Sequence, residues 1–154
     1  MILANLAIPT PLVTSGMTLR DAFQFCVECN VPGIPYADDQ NNIVGRISIH
    51  HSINKSCMPG YLKGVAHLLG DNTQKLDIPE LSARELLSQP VESFVLKSVN
   101  IVTSNSPVIK GLAMMEQNNS TYLFLVDNFI YKGVVTRMGI ARRLLDSMTG
   151  NEVI

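Results

Sequence analysis

Two seven-residue strings hold the side chains best placed for chemistry: Gly45-Arg46-Ile47-Ser48-Ile49-His50-His51 and Gly133-Val134-Val135-Thr136-Arg137-Met138-Gly139. In each, a glycine stands three residues before a hydroxyl, where an extended pattern gives way to a helical one. A hydroxyl at a helix start faces unpaired backbone N–H groups and the positive end of the helix dipole, a setting that favours an anion such as phosphate. Arg137 follows Thr136 and adds a cation able to pair with phosphate oxygens. His51 stands three residues after Ser48, where a neutral ring nitrogen can accept from a hydroxyl. Gly139 holds the matching place after Thr136. Plainer uses compete: Ser48 and Thr136 suit helix capping, Arg137 a solvated surface, and His51 an ordinary helix start.

Other reactive groups are scattered. Cys26 and Cys29 form a C-x-x-C, but Cys26 falls on the apolar face of a helical pattern and no second cysteine pair exists to complete a zinc site. His50 and His51 are adjacent and so point to different helix faces. No G-x-S-x-G elbow, phosphate-cradling G-x-x-x-x-G-K-[ST] loop or paired-carboxylate cluster occurs. The expectation is a protein that is not an enzyme, with no metal and no required cofactor.

The elements that carry the two strings belong to an internal repeat. The stretch from Thr18 to Ser48 matches the stretch from Pro107 to Thr136 element by element, with one residue of difference in the turn. Leu19, Phe23 and Cys26 fall opposite Val108, Leu112 and Met115. Asn30 falls opposite Asn119, Ile34 opposite Leu123, Asp38 opposite Asp127, Gly45 opposite Gly133, and Ser48 opposite Thr136. Helical spacing of the apolar positions predicts a helix in each copy, capped by Thr18 or Ser106 and left through Asn30 or Asn119. A strand follows (34–37; 122–126), then a polar turn, a second strand (43–48; 130–136) and a further helix, clearest over 140–148. Short extended segments, 7–13 and 99–103, precede the copies. A small sheet with one covered face buries too little alone, so two copies must pack together.

The repeats and their motifs resemble the cystathionine-β-synthase (CBS) domain. NVPGIPYADDQNNIVGRIS and NNSTYLFLVDNFIYKGVVTR carry its pattern: helix exit, strand, acidic turn, then a glycine opening a strand that ends in Ser or Thr. The resemblance implies an α/β (α+β) fold, a Bateman-type module of two repeats related by a pseudo-two-fold axis, with small β-sheets at the centre and helices outside. The chain divides into repeat 1 (1–55), a helical connector (56–95) and repeat 2 (96–154). Within the connector, Leu62, Val65, Leu68 and Leu69 share a helical face, and Ser82 precedes a second short helix.

The resemblance further implies a non-catalytic regulatory module. It binds an adenosine-type ligand (AMP, ADP, ATP or S-adenosylmethionine) between the repeats and modulates a partner protein. The alternative is a dimerisation module with a degenerate cleft that takes no nucleotide. The family's cleft motif ends in an Asp that holds ribose hydroxyls; here that position is His51 in one copy and Gly139 in the other. Candidate ligand contacts are Ser48, His51, Thr136, Arg137 and Gly139, with Ile34, Pro35, Tyr122 and Leu123 as an adenine wall or as ordinary core.

Composition narrows the partners. Charged residues make up 16% of the chain and hydrophobic ones 46%, against about 25% charged in a typical soluble domain. Fewer surface charges leave more carbon to be covered, which favours a protein partner; the resemblance implies a homodimer and an effector protein in trans. A formal net charge of −1 gives no pull toward nucleic acid. No apolar run approaches the ~20 residues of a membrane span, and residues 1–15 lack the basic start of a signal peptide. With three cysteines and no export signal, a cytoplasmic protein with free thiols is expected.

Overall fold

The computed structural model describes residues 1–71, 82–148 and 150. Two three-stranded sheets of identical topology stand at its centre. In the first, β1 (Val13–Thr14) runs parallel to β2 (Gly33–Ala37), which pairs antiparallel with β3 (Ile43–Ser48). In the second, β4 (Ile101–Val102), β5 (Tyr122–Asp127) and β6 (Ile130–Thr136) repeat the arrangement. The registers match too: Ile34 faces Ile47 as Leu123 faces Val135, and the bulge after Tyr36 recurs after Leu125.

Helices α1 (Leu19–Cys29) and α5 (Val108–Gln117) precede the central strands, and α2 (Ile49–Cys57) and α6 (Arg137–Asp146) follow the hairpins. The Thr18 hydroxyl accepts from Asp21 N–H while the Asp21 carboxylate accepts from Thr18 N–H, a reciprocal cap on α1. Ser106 does not play this part in the second copy. Pro107 is the cap residue of α5, and the Ser106 hydroxyl instead bonds Thr103. Both exits close alike: Asn30 (φ 55°) and Asn119 (φ 49°) are left-handed, and Val31 and Ser120 N–H donate to Cys26 and Met115 carbonyls. The last helix opens at Arg137, three residues before the apolar pattern becomes clear.

The connector is less regular than its apolar spacing predicts. α3 (Leu62–Val65) gives way to a 3-10 turn at Ala66–Leu68, and of the expected face only Leu62 is buried. Gly60, Gly64 and Gly70 interrupt this stretch, each with poor helix propensity. Ser82 does cap α4 (Ala83–Leu87), in a box with Glu85. The residues before it, 72–81, lie outside the described residues.

Two 3-10 turns, Leu3–Leu6 and Val91–Phe94, extend the repeat beyond what the sequence disclosed, and each docks on the other copy. Leu3 and Leu6 enter the core with Val108, Met115, Leu123 and Val135, whereas Val91 and Phe94 enter that of Leu19, Ala22, Cys26 and Ile34. The backbone bonds are reciprocal. Leu3 N–H donates to Ser106 O and Val91 N–H to Met17 O, both at 3.0 Å. Ile8 and Val134 exchange two bonds, as do Leu96 and Arg46. These pairings relate the halves by an approximate dyad, and packing therefore crosses residues 55 and 95 in both directions.

Candidate functional site

Alternation along the strands separates two faces. Ile34 and Ile47, like Leu123 and Val135, are fully buried beneath the helices of their own copies. The opposite faces meet at the dyad, where Tyr122, Phe124 and Val134 of the second sheet join the core of the first copy. Their dyad images are Gly33, Pro35 and Arg46. Of the proposed adenine wall, then, Ile34 and Leu123 lie in the two separate cores, while Pro35 and Tyr122 lie between the sheets.

The motif glycines answer to backbone, not to ligand. A Cβ at Gly133, whose φ is +153°, would stand 2.8 Å from the Ile8 carbonyl oxygen; one at Gly45 would stand 2.8 Å from that of Leu96. Both glycines let the exchanged segments run against the sheet edge.

Both hydroxyls cap helices. Thr136 Oγ1 accepts from Gly139 N–H at 2.9 Å and Ser48 Oγ from His51 N–H at 3.3 Å, and both residues are buried. His51 is half-buried. Its pKa is held below 6.5, first by desolvation, then by Lys55, Arg46 and His50.

Beside Thr136 a cavity of about 670 Å³ opens between the copies. Its walls are Val27, Val31 and Pro32 from copy one and Thr136, Arg137, Met138 and Arg142 from copy two, with Ile49 and Thr121 at the seam. The size suits a small organic ligand. One side is apolar and the other carries two guanidinium groups, so a flat apolar body with an anionic tail fits its chemistry. Arg137 meets Glu116 at 2.9 Å in an exposed ion pair. The Cys26 thiol in the wall has its pKa pushed up to about 12 by burial and by Cys29, which leaves it a poor nucleophile. Among the described residues, no histidine or carboxylate lines the cavity beside it.

A second cavity, about 300 Å³, lies across the start of α6 and is lined by Asn5–Ile8, Gly139, Arg142, Arg143 and Asp146. The candidates thus divide. Thr136 and Arg137 share the larger cavity, Gly139 lines the smaller, and Arg142 lines both. Arg142 was missed from sequence although it follows Met138 by one helical turn, a spacing that puts both on one face.

Ser48 lies apart from this opening. Tyr122, 6% exposed, reaches across the dyad so that its ring covers Gly33, with Cζ 2.3 Å from where a Cβ would stand. Its hydroxyl accepts from Arg46 Nη1 at 2.5 Å, and the Ser48 side chain stands close enough to act on it. Burial raises the phenol pKa, against lowering by Arg46. Arg46 is held further by donating from Nε to Ser98 O at 2.8 Å.

No protein-family model matches the sequence, and no curated protein is similar to it. Solved structures are. A CBS domain-containing protein of unknown function from Bacillus anthracis str. Ames Ancestor is 20% identical, with TM-score 0.62 over 96% of this chain and 95% of that one. The CBS domain pair of protein MJ0100, in complex with 5-methylthioadenosine and S-adenosyl-L-methionine, is 17% identical, with TM-score 0.65 over 94% and 99%. CBSX2 in complex with AMP is 17% identical, with TM-score 0.64 over 94% and 96%.

Proposed function

The chain has the fold of a tandem pair of CBS domains, and from that premise we propose that it is a non-catalytic sensor of an adenosine-type ligand that regulates a partner protein. The observation that carries the proposal is the cavity joining the copies, where Thr136, Arg137 and Arg142 face an apolar wall. The arginines take the phosphates or the carboxylate of AMP, ADP, ATP or S-adenosylmethionine, and Val27, Val31 and Pro32 take the base. Adenosine compounds bound by similar CBS pairs support this assignment. With a wall drawn from both copies, a bound ligand ties them together, and an effector in trans reads the change. Differential scanning fluorimetry with the four compounds tests it. At least one raises Tm in saturable fashion; no shift with any of them at millimolar concentration sinks the sensor reading.

A second reading has its own observation. Val27, Ile109, Met138 and Leu145 are 72%, 61%, 68% and 68% exposed on α1, α5 and α6, an amount of bare helix that a second copy would cover. On this reading the module is a homodimer whose stability ignores nucleotides. Sedimentation separates the two: a monomer at micromolar concentration removes the assembly reading and leaves ligand sensing standing.

A further inference from the structure

We infer that the two clefts of each chain are not equivalent: Tyr122 is a built-in occupant of the cleft beside Ser48, and the cavity beside Thr136 is the single ligand site. The inference rests on the sensor reading for the nature of the ligand, but not for the occupancy itself. Under the dyad, Tyr122 stands to Ser48 as Gly33 stands to Thr136. The residues that meet at the axis break that symmetry in bulk. Copy one contributes Gly33, Pro35 and Arg46, and copy two fills the space they leave with Tyr122, Phe124 and Val134.

The polar groups agree with the steric argument. A ligand entering beside Ser48 needs its hydroxyl and the nearby cation. Tyr122 already engages the cation, its phenol oxygen accepting from Arg46, and stands beside Ser48. Arg46 is also committed to the Ser98 carbonyl. The phenol thus does for Arg46 what a ligand hydroxyl would do, and it takes the place beside Ser48. Residue 33, the image of Tyr122, is a glycine and sends no side chain toward Thr136, which lines the cavity together with two exposed arginines.

Isothermal titration with whichever adenosine compound shifts Tm reads the number of sites. The expected result is one ligand per wild-type chain and two per Tyr122→Ala chain. Two per wild-type chain, or one in the variant, overturns the inference. If no adenosine compound binds, the sensor reading fails and occupancy is read with p-cresol, the tyrosine side chain as a free molecule. It then raises the Tm of Tyr122→Ala by a few degrees in saturable fashion and leaves wild type unmoved; an equal response of the two proteins overturns the inference. Should Tyr122→Ala not fold, Tyr122→Val, which keeps a strand-forming residue, takes its place in both arms.

Discussion

The ring of Tyr122 lies directly on the backbone of its own dyad image, Gly33, at a distance that leaves no room for a methyl group between them. Gly33→Ala therefore forces the ring away and with it the hydrogen bond to Arg46. Overpacking of this kind costs about 1–3 kcal/mol. Chemical denaturation checks it, and the Gly33→Ala/Tyr122→Ala double variant supplies the control. The two substitutions are coupled, so the double variant is more stable than the sum of the single losses allows.

Thr136 and Ser48 each cap a helix, and only Thr136 borders the open cavity. Replacing either with alanine removes one acceptor from a helix start and costs about 1 kcal/mol. Ligand affinity then separates them. Thr136→Ala weakens binding of the adenosine compound about tenfold, in line with one lost hydrogen bond to a charged group, whereas Ser48→Ala leaves it unchanged. Equal losses of affinity would contradict the assignment of the site to the second copy.

Residues at the start of the chain stabilise the far repeat. Leu3 is fully buried against Leu123 and Gly111 of copy two. Leu3→Ala should cost about 3 kcal/mol. Amide chemical shifts report where the damage falls: Val108, Met115 and Val135 respond, and Leu19 and Ile47 do not. The reverse pattern would mean that each copy is closed by its own neighbouring segment.

That exchange marks how far the sequence could be read. The repeat was legible because Asn30 and Asn119, Asp38 and Asp127, and Gly45 and Gly133 are the same residue types at matched positions, the asparagines held by the left-handed helix exits and the glycines by the strands that run against them. Strand and helix order followed from periodicity. The 3-10 turns at Leu3–Leu6 and Val91–Phe94 share only a spacing of apolar residues, too short to register as a repeat, and nothing local says which core a four-residue turn will join. In the site, the hydroxyls were found because a strand-to-helix junction has a signature. The divergent role of Tyr122 was not, since it depends on a glycine 89 positions away. The missing Thr-type cap on α5 has a similar origin: a proline at 107 takes the cap position, and the preceding Ser106 turns to Thr103.

Acid should weaken the first copy through His51. Its folded pKa lies below the ordinary 6.5 because of desolvation and the nearby Lys55, Arg46 and His50. The folded chain thus binds fewer protons than the unfolded one as pH drops past 6.5. The associated stability is fully present above the unfolded pKa and is lost as pH falls through the folded value. Urea midpoints measured between pH 7.5 and pH 5 should decline less for His51→Gln than for wild type. Parallel curves would place the acid sensitivity elsewhere.

Arg137 offers the most direct lever on ligand affinity. Its guanidinium is tied to Glu116, but the two side chains are 42% and 83% exposed, and pairs so open to water contribute only about 0–1 kcal/mol. Glu116→Gln should therefore leave Tm nearly unchanged. It also removes a carboxylate that competes with the ligand for the same cation and repels its phosphates. Affinity for an anionic adenosine compound should rise a fewfold, and the rise should shrink as salt screens the lost repulsion. Affinity for neutral adenosine should not change. A gain of equal size for adenosine and AMP would mean that Arg137 does not meet the phosphate.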